Sequence, residues 1–396
     1  MKSSILMMLL FVLGYIVCFG DMSSLNNSFV DEETLQYFSD FKNKKQLIVV
    51  NKPATNIIKT IHGDPYECVD FYKQPAFEHS SMKNHLFRYE RLQIPSLTNP
   101  ETNNKKFGYL WKNGIGCPTG TVPIKKVTKD EFVRLNSFSE KYKPQGSWNF
   151  TYNQSNIDNQ HHFAVSRIKT GKGKIYNGAT MVANTYNPKV KFPQYSSTRI
   201  HIQLGNDFIQ AGYTVNPKLY SDSKTRNFVY TKVGENQCYN SMCSDGIIIV
   251  RSDFPLGSVE ETCVRGDIEG YVQIYGLLKD KASGTWWLEI EGKQIGFWPA
   301  NKFQKSSDNN VEWGGEVYSA HMRSPQMGCG YFPVGRVRYD SVIYNITLVE
   351  ENFNIDKRVK NREAFSDNNH GYRVANDIYS DIPVNNIIYY GGPGNI

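Results

Sequence analysis

Short runs of alternating apolar and polar residues, separated by glycine, proline and asparagine, fill the chain from His161 onward. In residues 197–204, Arg199, His201 and Gln203 alternate with apolar residues and Thr198, which is the period of a half-buried strand. Comparable runs occupy residues 179–186, 228–233, 246–251, 271–278, 285–291, 294–298, 315–320 and 342–349. Many short strands with almost no helical period predict a mainly β fold, namely a jelly-roll-like antiparallel β-sandwich of two packed sheets.

The residues before this strand-rich region have a different composition. Residues 145–160 are rich in Asn, Gln and Ser, and such a segment cannot bury much apolar surface. We therefore predict an exposed linker over residues 144–160. It would join a small α+β domain of residues 21–143 to the β-sandwich of residues 161–396, since the chain is long enough for two domains with cores of their own.

The N-terminus has the pattern of a secretory signal peptide. Lys2 is followed by an apolar run from Ile5 to Phe19 and then by Gly20. The run is too short to span a bilayer comfortably, and no later stretch approaches the ~20 apolar residues that a membrane helix needs. Residues 1–20 are therefore a predicted signal peptide, and we expect the mature chain to be secreted, extracellular and free of the membrane.

Seven cysteines become six once Cys18 leaves with the signal peptide, an even number that fits an oxidising compartment. Pairing of neighbours along the chain would give the three disulfides Cys68–Cys117, Cys238–Cys243 and Cys263–Cys329. The order of the cysteines alone does not prove this pairing. Zinc is the alternative for Cys238 and Cys243, but no Cys-x-x-Cys pair or adjacent histidine supports a metal site. We therefore predict no metal.

Secretion also gives meaning to the sequons Asn-x-Ser/Thr, which predict glycosylation. They begin at Asn26, Asn149, Asn153 and Asn345. The net charge of +7 is spread along the chain, and no cluster of Lys and Arg interleaves with aromatic residues as a nucleic-acid groove requires. We expect no nucleic-acid partner.

Most familiar catalytic patterns are absent. No Gly-x-Ser-x-Gly turn is present to carry a serine nucleophile. His161 and His162 lack the His-Glu-x-x-His spacing of a zinc peptidase, so we interpret them as surface histidines. His201 is interpreted as a solvent-side strand residue, with the alternative that its sheet face lines a cleft.

Two polar side chains remain as candidates, Gln210 and Glu316, each within an apolar, glycine-flanked run. An unpartnered polar group in such a run costs a few kcal/mol of desolvation, although strand alternation also places ordinary polar residues on outward faces. A glutamate can draw a proton from an attacking water, and a carboxamide can donate to the developing oxyanion. The concave sheet of a sandwich can supply both.

At these residues the chain resembles the plant neprosin family, from about Asp21 to Ile396. The resemblance of the first domain rests on Glu-Cys-Val-Asp-Phe-Tyr at residues 67–72 and Cys-Pro-Thr-Gly-Thr-Val-Pro-Ile at residues 117–124. In the second domain it rests on Ala-Gly-Tyr-Thr-Val-Asn-Pro at residues 211–217, Cys-Tyr-Asn at 238–240, Gly-Phe-Trp-Pro at 296–299 and Gly-Gly-Glu-Val at 314–317.

The resemblance implies an activation-peptide domain followed by a glutamic-peptidase domain. It implies a secreted, self-processing endopeptidase precursor that acts at acid pH and cleaves beside proline, located in the apoplast or cell wall. The expected partners are a polypeptide substrate and the chain's own pro-domain, and no cofactor is expected. A groove lined by aromatic residues would hold the substrate. The predicted members of this groove are Trp286, Trp287, Trp298 and Tyr213. For the three tryptophans, packing in the core is the alternative.

The chain departs from the family at one catalytic position. Glu316 matches one catalytic glutamate, but Gln210 stands where the family has the other. A glutamine and glutamate pair resembles the dyad of the fungal eqolisin peptidases, which implies Glu316 as general base and Gln210 as its partner. The alternative is a catalytically silent extracellular protein that uses the same groove to bind peptide or wall material.

Overall fold

The computed structural model describes residues 47, 51–82, 107–136, 142–149, 160–168, 174–268, 270–304, 309–376, 384 and 386–396. These residues belong to one compact unit, Leu47–Ile396. The predicted signal peptide and the sequons at Asn26 and Asn153 lie outside them. None of the helices within the described residues is long and apolar enough to cross a membrane.

The first part of the described chain forms a small antiparallel sheet, called the N-terminal sheet, with the order β1-β2-β3. Its strands are β1 (Ala54–Lys59), β2 (Pro65–Asp70) and β3 (Thr121–Lys125). Helix α1 (Lys129–Asn136) follows. The hydroxyl of Thr128 accepts from the backbone N–H of Glu131, and the Glu131 carboxylate accepts from the Thr128 N–H, so a capping box starts this helix. Short 3-10 helices lie at Phe71–Lys73, Pro75–Glu78, Ser80–Met82, Phe107–Leu110 and Ser147–Asn149.

The first large sheet, called the site sheet, has the strand order β17-β4-β14-β6-β7-β8-β9, with every neighbouring pair antiparallel. Its strands are β4 (His161–Ile168), β6 (Tyr195–Leu204), β7 (Asp207–Val215), β8 (Thr225–Val233), β9 (Asn236–Tyr239), β14 (Asn309–Tyr318) and β17 (Arg362–Ser366). Helix α2 (Pro217–Tyr220) follows β7. The Asn216 side chain accepts from the Leu219 N–H and so caps it.

The second large sheet has the order β10-β13-β12-β11-β5-β15-β19-β18, and β16 pairs with β15. Its strands are β5 (Tyr176–Asn184), β10 (Ile248–Ile249), β11 (Val272–Lys279), β12 (Trp286–Ile290), β13 (Lys293–Trp298), β15 (Ser341–Glu350), β16 (Ile355–Asp356), β18 (Arg373–Asn376) and β19 (Ile388–Gly391).

The main hydrophobic core lies between the two large sheets. Strand alternation sends one set of side chains from each sheet into it, and buried polar atoms on those side chains find partners across the gap. The indole N–H of Trp313 on β14 donates to the Thr180 carbonyl of β5 at 3.1 Å, and Trp298 on β13 donates to the Thr231 hydroxyl of β8 at 3.0 Å. The predicted mainly β, antiparallel sandwich is confirmed.

Two of the three predicted disulfides form. Cys68 bonds to Cys117 and Cys238 bonds to Cys243. The predicted Cys263–Cys329 bond is wrong, since both cysteines are free. The Cys263 sulfur contacts the backbone of Tyr271, where the N–H donates to it at 3.1 Å. The Cys329 thiol instead lies 3.4 Å from the carbonyl oxygen of Tyr339, so proximity in chain order did not decide pairing here.

The described sequons lie in different settings. Asn345 is exposed on β15, where a glycan would meet solvent. Asn149 ends the 3-10 helix Ser147–Asn149. Glycosylation at both positions stays a prediction.

Candidate active site

Strand alternation places Gln210 and Glu316 on one face of the site sheet. On β7, Ile209 and Ala211 belong to the core, so Gln210 between them points to the opposite face. On β14, Val317 belongs to the core, so Glu316 also points away from it. Strand β6 lies between β7 and β14. The face of these strands that is turned away from the second sheet is called the site face below.

The two side chains are in contact. Nε2 of Gln210 lies 3.4 Å from Oε2 of Glu316, which is a long hydrogen bond. Both side chains are 0% exposed. The pattern predicted these two groups to lie near each other, and the structure places a carboxamide and a carboxylate together in a solvent-excluded position.

Oε1 of Glu316 accepts several hydrogen bonds at once. The Tyr195 hydroxyl donates at 2.8 Å, and the backbone N–H of Gln145 donates at 2.9 Å. Nδ1 of His161 lies 3.1 Å from the same oxygen. His161 is only 3% exposed, so its interpretation as a surface histidine is wrong. Its ring packs against Tyr195 and Tyr318, with centroids 6.0 and 5.2 Å away.

The surroundings of Glu316 favour its ionised form. Burial alone would raise its pKa, but the hydrogen bond from His161, the charge of Arg199 and the Gln145 N–H outweigh burial and lower the pKa to about 2. The carboxylate therefore remains negative in moderate acid. A carboxylate must be ionised to accept a proton, and Glu316 meets that condition.

Gln210 is oriented by His201. Nε2 of Gln210 lies 2.9 Å from Nδ1 of His201, and Nε2 of His201 lies 2.9 Å from Oε1 of Gln203. Burial lowers the pKa of His201 to about 4, so the ring is neutral above that value. A neutral ring that donates from Nε2 to Gln203 has a free acceptor at Nδ1 for Gln210. His201 thus lines the cleft and does not face solvent.

A buried guanidinium, Arg199, joins two carboxylates on the site face. Its Nε lies 3.1 Å from Glu316 and its Nη2 lies 2.6 Å from Glu312. All three side chains are 0% exposed. The charges of Glu312 and Glu316 outweigh the desolvation of Arg199 and raise its pKa. Removing one partner of such a buried group would leave an uncompensated charge.

Residues 142–149, called the covering segment, lie over this face. The Gln145 carbonyl accepts from Nε2 of Gln210 at 3.0 Å and from Nη2 of Arg199 at 3.3 Å. The Ser147 N–H and hydroxyl donate to Glu312. The predicted exposed linker is therefore wrong in its described part, where Pro144, Ser147 and Gln160 are buried. The segment is polar because the site face satisfies its polar groups.

Tyr142 anchors one end of the covering segment. Its ring packs edge-on against Tyr195 and Tyr318, with centroids 5.4 and 5.2 Å apart. Its hydroxyl forms a hydrogen bond with Asn216. Tyr142 is 1% exposed, so this end of the segment is held by a pocket made of site-sheet residues and the α2 cap.

The other end packs on His201. The Trp148 ring lies 5.3 Å from the His201 ring. A Cβ at Gly146 would lie 3.0 Å from both the His201 and the Trp148 rings, closer than most real contacts. Glycine therefore allows the backbone after Gln145 to pass close to the site face.

Comparison with the sequence models of protein families identifies the family of the chain. The sequence model of neprosin matches residues 193–393, and that of the neprosin activation peptide matches residues 57–167. The chain belongs to the neprosin family. The covering segment lies within the activation-peptide match, whereas Gln210 and Glu316 lie within the neprosin match.

A search of solved structures matches two glutamic peptidases and a pentraxin among others. Scytalido-glutamic peptidase with a peptide-based transition-state analogue is 8% identical, with a TM-score of 0.31, over 59% of this chain and 97% of that chain. SCP-B, a member of the eqolisin family of peptidases, in complex with the tripeptide Ala-Ile-His, is 8% identical, with a TM-score of 0.30, over 59% and 97%. A SAP-like pentraxin from Limulus polyphemus is 9% identical, with a TM-score of 0.23, over 43% and 71%.

The four aromatic residues predicted to line the groove of this neprosin-family chain lie elsewhere. Tyr213 lies three residues after Gln210 on β7, so its side chain points to the opposite face. It enters the core, where its hydroxyl donates to the Asn184 carbonyl at 2.6 Å. The tryptophans lie on β12 and β13 of the second sheet and are buried: Trp286, Trp287 and Trp298. On the site face, Tyr195 contacts Glu316 directly, Tyr142 packs on Tyr195, and Trp148 packs on His201.

The N-terminal sheet and its connections bond to residues 249–257. Trp111 donates to the Asp253 carbonyl at 2.9 Å, and Tyr66 donates to the Leu256 carbonyl at 3.1 Å. Arg226 on β8 also pairs with Asp64. Within the described part of the chain, no group of three or more metal-ligating side chains is found.

Truncation of the Tyr142 anchor should loosen the covering segment. Tyr142→Ala removes a buried aromatic ring, which costs about 3 kcal/mol or more at well-packed sites. We expect this loss to lower the free energy needed to open the covering segment locally. Amide hydrogen exchange should then show the Gln145 N–H exchanging about 100-fold faster, because 1.36 kcal/mol corresponds to a factor of ten. Tyr109→Ala, at a 66% exposed residue, is the control. Unchanged protection of Gln145 in Tyr142→Ala would refute the anchor.

Proposed function

We propose that the chain is the secreted precursor of a glutamic endopeptidase of neprosin type that acts in acid and cleaves beside proline. One observation carries the proposal. The backbone of Gln145 crosses the site face with its N–H on Glu316 and its carbonyl on Gln210. A peptide lies where a peptidase would bind one, next to a carboxylate and a carboxamide donor.

The chemistry needs only these two side chains and a water molecule. Glu316 accepts a proton from water as the water oxygen bonds to the carbonyl carbon, and the carbonyl π pair moves to the oxygen, toward which Gln210 donates. When that pair reforms the carbonyl, the C–N bond breaks, and the amine leaves with the proton from Glu316. The low pKa of Glu316, about 2, supports base catalysis in acid.

In the precursor the same peptide would keep the enzyme latent. The Gln145 N–H, Tyr195 and His161 already occupy Oε1 of Glu316, which leaves no acceptor position there for an attacking water. Cleavage within residues 143–160 would release the segment. A cut before Gln160 would retain β4, and with it His161, in the processed protein.

Secretion would carry the precursor to the extracellular space, apoplast or cell wall, through the signal peptide of residues 1–20. A preference for proline is proposed on the family type alone, since the carbonyl held in the cleft belongs to Gln145 and not to Pro144. The substrate would be a polypeptide, and the chain's own activation peptide would be its first ligand.

A second candidate function is a catalytically silent extracellular binding protein. It is favoured by the position of Gln210, which cannot share a proton with Glu316 as a second carboxyl would. In this case the cleft would hold peptide or wall material without turnover.

The deciding experiment incubates the purified full-length chain in acid and follows both its own mass and the cleavage of peptides that contain one proline. We expect the mass to fall by cleavage within residues 143–160 and peptide hydrolysis to begin as the segment is lost. A chain that stays intact and hydrolyses no peptide in acid would favour the binding protein. Full activity of uncut precursor would refute latency.

A further inference from the structure

The Gln145 carbonyl in the cleft is held by two donors, of which the sequence indicated only one. Gln210 Nε2 lies 3.0 Å from this oxygen and Arg199 Nη2 lies 3.3 Å from it. We propose that Arg199 acts with Gln210 as the donor pair that binds and polarises the substrate carbonyl oxygen. This deepens the proposed function and rests on it, because it assigns a second oxyanion donor to the same site.

The sheet register explains why Arg199 reaches this oxygen. On the central strand β6, Arg199 pairs with Gly212 of β7 and with Gly314 of β14. Neither neighbour has a side chain, so the guanidinium extends across the site face between Gln210 and Glu316. At Gly212 a Cβ would lie 2.0 Å from the Thr198 carbonyl oxygen, so a larger residue does not fit there.

Both donors are also bonded to side chains of the site sheet itself. Arg199 is anchored through Nε to Glu316 and through Nη2 to Glu312, and Gln210 is anchored to His201. Donors that need no reorganisation stabilise developing charge most effectively. Nη1 of Arg199 is buried and has no hydrogen-bond partner among the described residues.

The charge balance also favours this role. As Glu316 takes up the proton of the water, its negative charge is lost and a new negative charge develops on the carbonyl oxygen, for which the carboxamide of Gln210 offers only a dipole. Arg199 supplies a full positive charge within hydrogen-bond distance of the carbonyl oxygen. In a site from which water is excluded, that charge acts with little screening.

The competing explanation is that Arg199 only neutralises Glu312 and Glu316. Arg199→Gln alone would leave buried charges unpaired and could unfold the chain. The test variant is therefore Arg199→Gln/Glu312→Gln, which removes one charge of each sign, and its reference is Glu312→Gln, which keeps the donor to the carbonyl.

The kinetic measurement compares these two variants after processing. We expect kcat of the double variant to lie about 100-fold below that of Glu312→Gln, the size of effect seen when one oxyanion donor is removed, with little change in KM. A role confined to neutralising Glu316 acts through the pKa of that carboxyl, which Arg199 lowers, and so predicts a difference that disappears as pH rises, whereas loss of a carbonyl donor predicts a difference that persists at every pH. Equal kcat values in the double variant and in Glu312→Gln would overturn the proposal.

A second measurement does not depend on turnover. Gln145-Gly146 is the only Gln-Gly pair in the chain, so carbonyl-¹³C glutamine combined with ¹⁵N glycine selects the Gln145 carbonyl by NMR in the full-length chain. Its resonance should move upfield in the double variant relative to Glu312→Gln, because a charged donor is lost. An unchanged resonance would overturn the proposal. If no protein cleaves peptide but the resonance moves, the peptidase function fails and the Arg199 contact stands.

Discussion

Glu316→Gln is expected to reduce cleavage of a proline-containing peptide to the buffer background at every pH from acid to neutral. Glutamine preserves the volume of the side chain, and its carboxamide still forms hydrogen bonds. It cannot accept the proton of the attacking water. The precursor should also stay intact in acid, because self-processing uses the same carboxylate. The measurement is a time course of peptide cleavage and of the chain's own mass, for wild type and variant side by side.

The matched control is Glu289→Gln. Glu289 is also buried, at 5% exposed, but it lies on β12 of the second sheet, away from Gln210 and Glu316. This variant should cleave at the wild-type rate. If Glu316→Gln cleaved as fast as wild type, the assignment of the general base would be wrong and a contaminating protease would become the explanation to test.

A comparison of wild type with Glu316→Gln also tests the ionisation of Glu316. Its pKa in the folded chain, about 2, lies below the usual 4.5, so its ionised form stabilises the fold above pH 4.5, and this stabilisation is lost as pH falls toward 2. The difference of about 2.5 pKa units corresponds to roughly 3 kcal/mol. Denaturant unfolding should therefore show wild type losing more stability than Glu316→Gln over that interval, and parallel losses would contradict the low pKa.

The repeating features of the sequence predicted the fold. The alternation in residues 197–204 and 342–349 became β6 and β15, because a period of two fixes which side chains share a face. Alternation also placed Gln210 and Glu316 on the same side of their strands. A feature that depends on local periodicity and turn residues can be predicted from a single amino-acid sequence.

Features that depend on what covers a face could not be predicted this way. Arg199 and His201 have the alternation of solvent-side residues, and they are buried only because the covering segment of residues 142–149 lies on them. The segment in turn looked like a linker because its polar groups are satisfied by the site face and not by water. His161 offered no spacing signal, since its partner Glu316 is 155 residues away.

The role of Gln210 as a hydrogen-bond donor to the substrate carbonyl is tested by its removal. Gln210→Ala removes the shorter of the two contacts to the Gln145 carbonyl, and loss of one oxyanion donor lowers kcat by about 10²- to 10³-fold. The binding of substrate itself should change less than kcat. The control is Gln273→Ala, since Gln273 lies on β11 of the second sheet and bonds to Glu260, and it should cost far less.

Gln210→Glu asks whether this copy is active at all. A second carboxyl beside Glu316 repels its charge, so one of the two should bind a proton with a raised pKa and the pair should titrate as a coupled unit. For an active wild type, cleavage by this variant should decline toward neutral pH, where the shared proton is lost, while wild type depends on Glu316 alone. The measurement is kcat/KM against pH for both proteins with the same proline-containing peptide. Superimposable profiles would show that the two side chains do not act together, whereas cleavage by Gln210→Glu and none by wild type would identify Gln210 as the substitution that silences the site and would establish the binding protein.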